Sequence, residues 1–395
     1  MSGEHALRGR TLLVLAASVQ QVPLIRRCLS MGARIVTLDN RPENPGHALA
    51  HRSVNADVRD IAAVIAAIRT EAAEAVVAAA SDVALETAAE VTARLGLVGP
   101  PLAVRDALLS KIGFRGLQDA LGLPAPAWAR AGESLPGDGA WIVKPSRGSG
   151  SRGIRVVGVS ADLPSALHAA AVESRDGEAM FETWLPGSQH TAEGWMQEGQ
   201  VAAMMLTERL TARWPHVATL GHRAPAGISP AAHAAIKAQI ETVFRHLGYM
   251  DGPFDADVVL SATGPVLVEI SPRAGGNGLM HMVGAATDFD HMGMIALHAL
   301  GLLPRIAPWQ VAPVGVQILS DPEGGILRYD SAAVPSLRAE PWIVDLTLDL
   351  PTGARVPPFT DGRSRYGQVV FTADNGPGLE VRLHQVRSRL GLTVM

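Results

Sequence analysis

The sequence predicts an α/β protein that has an α+β core and a small mixed C-terminal region. Three observations predict this class. Residues 1–100 alternate strand-like apolar runs with amphipathic helical stretches. The residues after Pro100 contain pairs of strand-like runs around glycine-rich turns, and residues 306–395 are typical of short strands separated by Pro/Gly turns. Alternating strands and helices indicate a parallel sheet with crossover helices, whereas strand pairs around turns indicate antiparallel hairpins.

The first hundred residues are expected to form a small Rossmann-like domain. Strands are predicted over 11–16, 34–39 and 75–79, and helices over 22–31, 61–69 and 83–95. The turn after the first strand is Ala16-Ala17-Ser18, which lacks the glycines that let a backbone approach a dinucleotide pyrophosphate. Asp39 is therefore predicted to be a turn residue at a strand end and not the ribose acceptor of a dehydrogenase.

The next region combines helices with hairpins. A helix is predicted over 101–120 and another over 162–173. Strands over 140–145 and 154–159 enclose a glycine-rich loop at 146–153, and further strands are expected at 179–182, 191–195 and 201–207. We define residues 146–153 as the glycine loop.

The second half contains one long helix and a further hairpin. Ser229-Pro230 predicts a helix start, and Gly248 predicts its end. A hairpin is expected over 254–260 and 265–270, strands over 314–319 and 367–372, and a closing helix over 378–390. The predicted division is 1–100, then a core over 101–305 with a small lobe at 115–185 and a large lobe at 186–305, then a C-terminal domain over 306–395.

Composition excludes several classes of protein. Of 395 residues, 47% are apolar and 18% are charged, and the net charge is -4, so the basic excess of a nucleic-acid binder is missing. A single cysteine, Cys28, cannot form an internal disulfide, and the N-terminus lacks the pattern of a secretory signal. No apolar run reaches the length of a membrane span. We expect a cytoplasmic protein that binds neither nucleic acid nor membrane.

Lysine is rare, which draws attention to its positions. The 34 basic residues include only three lysines, Lys111, Lys144 and Lys237. A lysine provides a compact charge that suits phosphate binding. In the glycine loop, Gly148, Gly150 and Gly153 match G-x-G-x-x-G, but the loop lies between two strands, which is not the context of a dinucleotide site. The loop is either a flexible hairpin or a lid that folds over a polyphosphate, and Lys144 beside it favours the lid.

Two acidic residues are predicted to lie side by side. Asp257 and Glu269 fall on opposite arms of the hairpin that turns at Gly264, and strand alternation places Glu269, Ser271 and Arg273 in one line. Two carboxylates beside a phosphate loop are typical of an Mg²⁺ site, although a surface salt bridge to Arg273 is the alternative. The lysines and the glycine loop favour Mg²⁺.

These residues, taken in order, resemble those of the ATP-grasp superfamily. The resemblance is greatest to its carboxylate-amine ligase branch, which includes L-amino acid ligases (dipeptide synthetases) and carnosine synthase. It rests on the ordered set Lys111, Lys144-Pro145, the glycine loop, Glu182-x-x-x-x-Gly187, Gly221-His222-x-x-Pro225, Asp257 and Glu269-Ile-Ser-Pro-Arg273-x-Gly-Gly276. It implies an ATP-grasp fold with an N-terminal Rossmann-like preATP-grasp domain, an ATP-grasp core and a small C-terminal mixed domain.

The resemblance also implies roles for individual residues. Lys111 and Lys144 would hold ATP phosphates, and residues of the glycine loop would close over them: Ser146, Gly148, Ser149, Gly150 and Ser151. The adenine hinge would comprise Glu182, Thr183, Trp184 and Leu185, with Gln189 at the ribose position. Mg²⁺, as one or two ions, or Mn²⁺ in its place, would be bound by Asp257, Glu269 and Ser271. The substrate end would contain His222, Arg273, Gly275, Gly276 and Asn277, with Arg273 and Lys144 acting in catalysis.

The implied reaction joins a small-molecule carboxylate to an amine. ATP would phosphorylate the carboxylate, and the amine would attack the acyl phosphate to form an amide, releasing ADP and phosphate. The carboxylate is expected to be an amino acid or a small acid of secondary metabolism, and a homodimer is possible. The alternatives are an ATP-grasp carboxylase that uses bicarbonate and a non-catalytic nucleotide-binding regulatory protein.

Three positions depart from the family pattern. Asp257 replaces a glutamate, Ser271 replaces the asparagine of the second metal site, and Gln189 replaces a carboxylate. Thr219 also replaces an acidic residue that holds the substrate amine in dipeptide synthetases. If the mechanism holds, Glu269→Ala or Arg273→Ala should abolish turnover while leaving the fold intact.

Overall fold

The computed structural model describes residues 5–134 and 139–395. Its first sheet is parallel, as predicted, with strand order β3-β2-β1-β4. The strands are β1 (Thr11–Leu15), β2 (Arg34–Asp39), β3 (Arg52–Asn55) and β4 (Ala75–Val77). The helices that connect or follow them are α1 (Val22–Ser30), α2 (Ile61–Glu71) and α3 (Asp82–Leu95).

Helices cover both faces of this sheet. Leu12 and Val14 of β1 pack in one apolar cluster, and Leu13 and Leu15 pack in another. Because successive strand residues point to opposite faces, a strand buried on both sides must be apolar throughout. At the end of β2, the Asp39 carboxylate accepts hydrogen bonds from backbone N–H groups of the neighbouring turns. This confirms its predicted structural role.

The helix predicted over 101–120 is wrong in one respect, because the chain forms two helices there. These are α4 (Leu102–Leu108) and α5 (Lys111–Leu121). Ser110 between them is extended, and its hydroxyl accepts a hydrogen bond from the Gly113 N–H, so that it caps a new helix. The break places Lys111 at the first residue of α5, beside the glycine loop.

The glycine loop belongs to a four-stranded antiparallel sheet, which we call the small sheet. Its strand order is β5-β8-β6-β7. The strands are β5 (Trp128–Arg130), β6 (Trp141–Pro145), β7 (Arg155–Val157) and β8 (Ala179–Thr183), and α6 (Leu163–Glu173) packs on one face. The loop joins β6 to β7 as a hairpin connection, as the sequence predicted.

A larger sheet of eight strands carries most of the remaining chain. Its order is β13-β12-β9-β10-β11-β14-β18-β16. Its first five strands in the chain are β9 (Ser188–Gln197), β10 (Gln200–Thr211), β11 (Thr219–Ala224), β12 (Gly252–Ser261) and β13 (Gly264–Ser271). The helices in this part are α7 (Pro230–His246), α8 (Leu279–Thr287) and α9 (His291–Ala299). Strands from both sides of residue 306 therefore share one sheet.

The C-terminal residues complete this sheet and add a small one. The elements in chain order are β14 (Val314–Leu319), β15 (Gly325–Arg328), α10 (Ala333–Arg338), β16 (Ile343–Leu348), β17 (Arg355–Val356), β18 (Gly367–Thr372), α11 (Gly376–Leu390) and β19 (Thr393–Val394). This additional three-stranded sheet has the order β17-β15-β19. Within the described residues, no helix has the length and apolar character needed to cross a membrane.

Candidate functional site

A cavity of about 700 Å³ lies where the small sheet, the eight-stranded sheet and the end of the parallel sheet meet. Every site residue predicted from the sequence lines this cavity except Ser146 and Gly275. The cavity is also lined by residues of the C-terminal part of the chain, including Phe359, Gly362 and Arg365. The structure thus brings together residues that are more than 250 positions apart in the chain.

Ser146 does not line the cavity. Ser146 is buried, and its hydroxyl lies 3.1 Å from the Ser110 hydroxyl. Its carbonyl accepts a hydrogen bond from the Lys111 N–H at 2.8 Å. Ser146 therefore fixes the start of α5 against the end of β6.

Lys111 connects the glycine loop to the carboxylate hairpin. Its Nζ donates to the Gly148 carbonyl at 3.0 Å and lies 3.6 Å from Glu269 Oε1. Gly150 and Ser151 at the tip of the loop have left-handed backbone conformations. The Gly362 N–H donates to the Gly150 carbonyl at 3.0 Å, so the loop also contacts the C-terminal part of the chain.

Lys144 takes part in a buried ionic cluster with Glu182 and Arg115. The Lys144 ammonium and the Arg115 guanidinium both bond to the Glu182 carboxylate, the latter at 2.7 Å. Burial favours the neutral acid, but the charges of Arg115 and Lys144 outweigh it and lower the pKa of Glu182 to about 2. Burial also lowers the pKa of Lys144. The Glu182 side chain is therefore committed to this cluster.

The residues after Glu182 connect β8 of the small sheet to β9 of the eight-stranded sheet. The Thr183 N–H donates to the Ala127 carbonyl, and the Trp184 N–H donates to the Ala140 carbonyl. Trp184 packs edge-on against Trp214, with ring centroids 6.2 Å apart. Leu185 follows in the cavity wall, and Gln189 lies on the next strand.

Asp257 and Glu269 are directly opposite each other on β12 and β13, which confirms the predicted pairing. Asp257 accepts a hydrogen bond from the Thr191 hydroxyl at 2.7 Å and one from Arg209 at 2.9 Å. The Glu269 side chain is 39% exposed and faces the cavity beside Lys111. The Glu269 carboxylate therefore remains open to a ligand.

The chemistry of these two carboxylates fits Mg²⁺. In phosphoryl-transfer sites Mg²⁺ is held by one or two carboxylates and by oxygens of the substrate phosphates. Among the described residues, no group of three or more His, Cys, Asp and Glu side chains is arranged to hold a metal by itself. A pair of carboxylates that shares the ion with a nucleotide needs no such group.

Arg273 lines the cavity and is held by two carboxylates that the sequence did not predict as its partners. Its guanidinium bonds to Asp255 Oδ2 at 2.8 Å and to Asp82 Oδ1 at 2.8 Å. Burial and the neighbouring carboxylates Glu193 and Asp257 raise the pKa of Asp255, although Arg273 opposes this. Arg273 therefore joins α3 of the parallel sheet to the hairpin of the eight-stranded sheet.

Gly275 does not line the cavity and lies behind its wall, next to Glu193. Its N–H donates to the buried Glu193 carboxylate, which also accepts a hydrogen bond from His291 Nε2 at 2.9 Å. Trp195 Nε1–H donates to His291 Nδ1, which fixes the ring tautomer. Burial raises the pKa of Glu193 to about 8 and lowers that of His291 to about 3.

The remaining predicted residues, His222, Gly276 and Asn277, also line the cavity. His222 Nδ1 lies 3.0 Å from the Thr207 hydroxyl, and burial lowers the His222 pKa to about 3, so the ring is neutral. The Asn277 N–H donates to Gln20 at 3.0 Å, and Gly276 lies beside the same side chain. The segment after β1 of the parallel sheet thus supplies the wall of the cavity beside Gly276 and Asn277.

Among the residues that sequence reasoning missed are five charged or titratable groups that line the cavity or bond to residues around it: Asp82, Arg115, Glu193, Arg209 and Asp255. Two of them carried a signal. Arg115 lies one helical turn after Lys111, and Asp255 lies two strand positions before Asp257, so each shares a face with a predicted residue. The other three are placed by contacts between distant elements, which leave no local pattern.

Comparison with known families identifies the fold. Residues 139–281 match the family model described as the ATP-grasp domain. The chain therefore contains an ATP-grasp domain, and the resemblance to this superfamily is confirmed. The L-amino acid ligase from Bacillus licheniformis has the same fold, with a TM-score of 0.81, 18% sequence identity and coverage of 98% of this chain and 99% of that one.

The chain matches only part of the length of its sequence relatives. An uncharacterized protein, y4rH, of Sinorhizobium fredii is 24% identical over 302 residues, which are 73% of this chain and 61% of that protein. Carnosine synthase 1 of Gallus gallus is 29% identical over 157 residues, 38% of this chain and 17% of that protein. The same fold also occurs in N5-carboxyaminoimidazole synthetase structures, so the fold by itself does not select the reaction.

Proposed function

Because the chain contains an ATP-grasp domain, we propose that it is an Mg²⁺- and ATP-dependent carboxylate-amine ligase. It would activate a small carboxylate as an acyl phosphate and join it to an amine, forming an amide and releasing ADP and phosphate. The observation that carries the proposal is the meeting of three groups in one cavity: Lys111 with the glycine loop, the Asp257–Glu269 pair and Arg273.

One set of cavity residues would bind the nucleotide. Lys111 and the N–H groups of the glycine loop would hold the nucleotide phosphates. The hinge from Glu182 to Leu185 would contact adenine, and Gln189 would face the ribose. The loop is bonded to Gly362 in this structure, and with a nucleotide bound it would shield the space between the small sheet and the eight-stranded sheet from water.

Charge in the cavity would favour transfer of the phosphoryl group. Asp257 and Glu269 would hold Mg²⁺, which when bound supplies positive charge to the transferring phosphoryl group. Lys144 is held by Glu182 at the wall near the phosphates. Arg273, fixed by two carboxylates, would orient the substrate carboxylate or the phosphoryl oxygens.

Both the y4rH protein and carnosine synthase align with only part of their own length. The name of carnosine synthase therefore indicates only a class of reaction, and the uncharacterized y4rH protein indicates none. The similarity of fold to an amino acid ligase and of sequence to carnosine synthase supports an amino acid or related small acid as one substrate. The amine remains to be identified by experiment.

The test incubates the protein with Mg²⁺, ATP and a pooled panel of amino acids, small carboxylic acids and amines. Nucleotides and new masses are read together by mass spectrometry. The proposal predicts that ADP forms only when substrate is present. It also predicts a product whose mass equals the summed masses of two pool members minus one water. Formation of AMP excludes the acyl-phosphate route.

The same experiment tests the two alternatives. ADP formation that depends on bicarbonate, with a product heavier by one carboxyl group, indicates a carboxylase. Tight ATP binding without turnover of any pool member, with or without bicarbonate, indicates a nucleotide-binding regulatory protein. A variant with Glu269→Gln serves as the negative control for chemistry, and one with Glu208→Gln, whose side chain is exposed, serves as the matched positive control.

A further inference from the structure

Two buried polar atoms in the cavity have no hydrogen-bond partner among the described residues. They are Asp255 Oδ1 and Ser271 Oγ, and both residues line the cavity. Ser271 is only 5% exposed. Buried polar atoms are almost always hydrogen-bonded, because an unmade bond costs free energy. A pair of such atoms facing a cavity therefore points to a polar group of a ligand.

The two atoms belong to one rung of the hairpin. Asp255 on β12 is directly opposite Ser271 on β13, and the next rung along the strands is the Asp257–Glu269 pair. Residues two apart on a strand share a face and are separated by about 7 Å. The Asp255–Ser271 rung is thus adjacent to the carboxylates that would hold Mg²⁺, on the side of Arg273.

The charges around this rung favour a cation. Asp255 Oδ2 is bonded to Arg273, which is also bonded to Asp82, and Asp255 is directly opposite Glu193 on the neighbouring strand β9. Two carboxyl groups therefore share the Arg273 guanidinium, while burial keeps Glu193 mainly a neutral acid at neutral pH. The free oxygen of Asp255 is a hydrogen-bond acceptor, so it favours a ligand group that donates hydrogen bonds over an oxygen anion.

The geometry of the donors selects the kind of cation. This rung offers one free carboxylate oxygen and one hydroxyl, because the other Asp255 oxygen is bonded to Arg273. Mg²⁺ prefers carboxylate and phosphate oxygens, which the neighbouring Asp257–Glu269 rung and the nucleotide would supply. A primary ammonium carries three N–H donors, two of which these atoms can accept. The ammonium is therefore the better match.

We propose that Asp255 Oδ1 and Ser271 Oγ bind the primary ammonium group of the amine substrate. Arg273, which would orient the carboxylate or its phosphoryl group, is bonded to the same Asp255 carboxylate. An ammonium on Asp255 Oδ1 therefore lies beside the reacting carboxyl group, where the attacking nitrogen must be. This inference rests on the proposed ligase function and changes the expected role of Ser271 from metal ligand to substrate ligand.

The test compares two nucleophiles with the same carboxylate, the one identified in the pooled panel. The first nucleophile is the amine identified in that panel, which is an ammonium ion at neutral pH. The second is hydroxylamine, which is mostly uncharged at neutral pH and traps an acyl phosphate as a hydroxamate. The variants are Asp255→Asn and Ser271→Ala. Their matched controls are Asp251→Asn, just before β12, and Ser261→Ala, at the far end of β12, and neither control residue lines the cavity.

The inference predicts that each variant raises the KM for the amine about tenfold or more, because a hydrogen bond to a charged group is lost. The ratio of amide to hydroxamate formed from the same carboxylate should fall about tenfold or more at a fixed amine concentration below the wild-type KM, because hydroxylamine does not need the ammonium site. Equal loss of amide and hydroxamate, or no change in either, overturns the inference. If Asp255→Asn does not fold, Ser271→Ala decides by the same criteria.

The controls separate this inference from the proposed function. Wild-type protein that forms neither amide nor hydroxamate contradicts the ligase function itself. Wild-type protein that forms both, with variants that lose both equally, contradicts only the ammonium site. A variant whose amide formation is rescued by a higher concentration of Mg²⁺ assigns the rung to a metal and also overturns the inference.

Discussion

Arg273 Nη2 lies 2.8 Å from Asp82 Oδ1, although the two residues are 191 positions apart in the chain. Asp82 begins α3 beside the parallel sheet, and Arg273 follows β13 of the eight-stranded sheet. Burial opposes the charge of Arg273, but Asp82 and Asp255 outweigh it and raise the pKa of the guanidinium. This ion pair makes Arg273 a structural link as well as a candidate active-site residue.

Arg273→Ala is therefore expected to weaken the fold in addition to abolishing turnover. Removal of one partner from a buried ion cluster leaves uncompensated charge and costs roughly 3–5 kcal/mol. Urea unfolding followed by circular dichroism measures this loss. The double variant Asp82→Asn/Arg273→Ala should recover part of the stability, and equal stability of the wild type and the single variant would contradict the assigned link.

Glu269→Gln should abolish turnover and leave the fold intact. The Glu269 side chain is 39% exposed, and its nearest charged neighbour, Lys111, is 3.6 Å away, so its removal strands no buried charge. Loss of a carboxylate that holds Mg²⁺ should lower kcat on the order of 10²-fold or more. The measurement is ADP release at saturating ATP, and the melting temperature should match that of Glu208→Gln.

Glu182→Gln should destabilise the protein and weaken ATP binding. The neutral side chain leaves Arg115 and Lys144 buried without their counter-ion, at a cost of roughly 3–5 kcal/mol at neutral pH. Because the pKa of Glu182 is lowered to about 2, its contribution is present above pH 4.5 and is lost as the pH falls through 2.

The difference in unfolding free energy between wild type and Glu182→Gln should therefore become smaller as the pH is lowered. Unfolding free energies at pH 7 and pH 4 measure it. Glu178→Gln, an exposed position just before β8, is the matched control and should behave as wild type. A gap that does not depend on pH would contradict an ionised Glu182.

The contribution of Glu193 to stability should depend on pH in the opposite direction. Its pKa is raised from 4.5 to about 8, so the folded protein retains a proton that the unfolded chain releases. Its contribution to stability is complete below pH 4.5 and is lost as the pH rises through 8. Each unit of pKa shift corresponds to about 1.4 kcal/mol. Glu193→Gln removes this titration.

Wild-type protein should therefore lose more stability than Glu193→Gln between pH 5 and pH 8. Urea unfolding at the two pH values tests this, with Glu198→Gln, at the exposed turn after β9, as control. Parallel pH profiles for wild type and Glu193→Gln would show that the buried carboxyl group does not hold the proton.

Glu86→Gln should loosen the glycine loop. Glu86 on α3 pairs with Arg147 of the loop and with Arg175 after α6. These ion pairs are partly exposed, and solvent screening limits each to about 1 kcal/mol, so loop opening should increase roughly two- to fivefold. Limited trypsin cleavage after Arg147 and Arg152 reports this opening, and ATP should slow it.

The matched control for loop opening is Glu90→Gln. Glu90 lies one turn further along α3 and pairs with Arg94 and Arg105, which are outside the glycine loop. Its cleavage rate should equal that of wild type. Equal rates for Glu86→Gln and Glu90→Gln would show that the pairs to Arg147 and Arg175 do not hold the loop.

The sequence by itself determined the elements whose signals are local. The parallel sheet followed from apolar strands alternating with helices, and the Asp257–Glu269 pair followed from strand alternation around one turn. The position of the glycine loop between two strands followed in the same way. Each of these depends on residues that are close in the chain.

The tertiary structure decided which charges face each other. Arg115 meets Glu182, Arg209 meets Asp257, and Arg273 meets Asp82 and Asp255, over separations of 18 to 191 residues. Periodicity specifies the face on which a residue lies but not the element packed against that face. The partners of these buried charges are fixed by the packing of whole sheets, and only the folded chain reveals the free oxygen of Asp255 beside the unpartnered hydroxyl of Ser271.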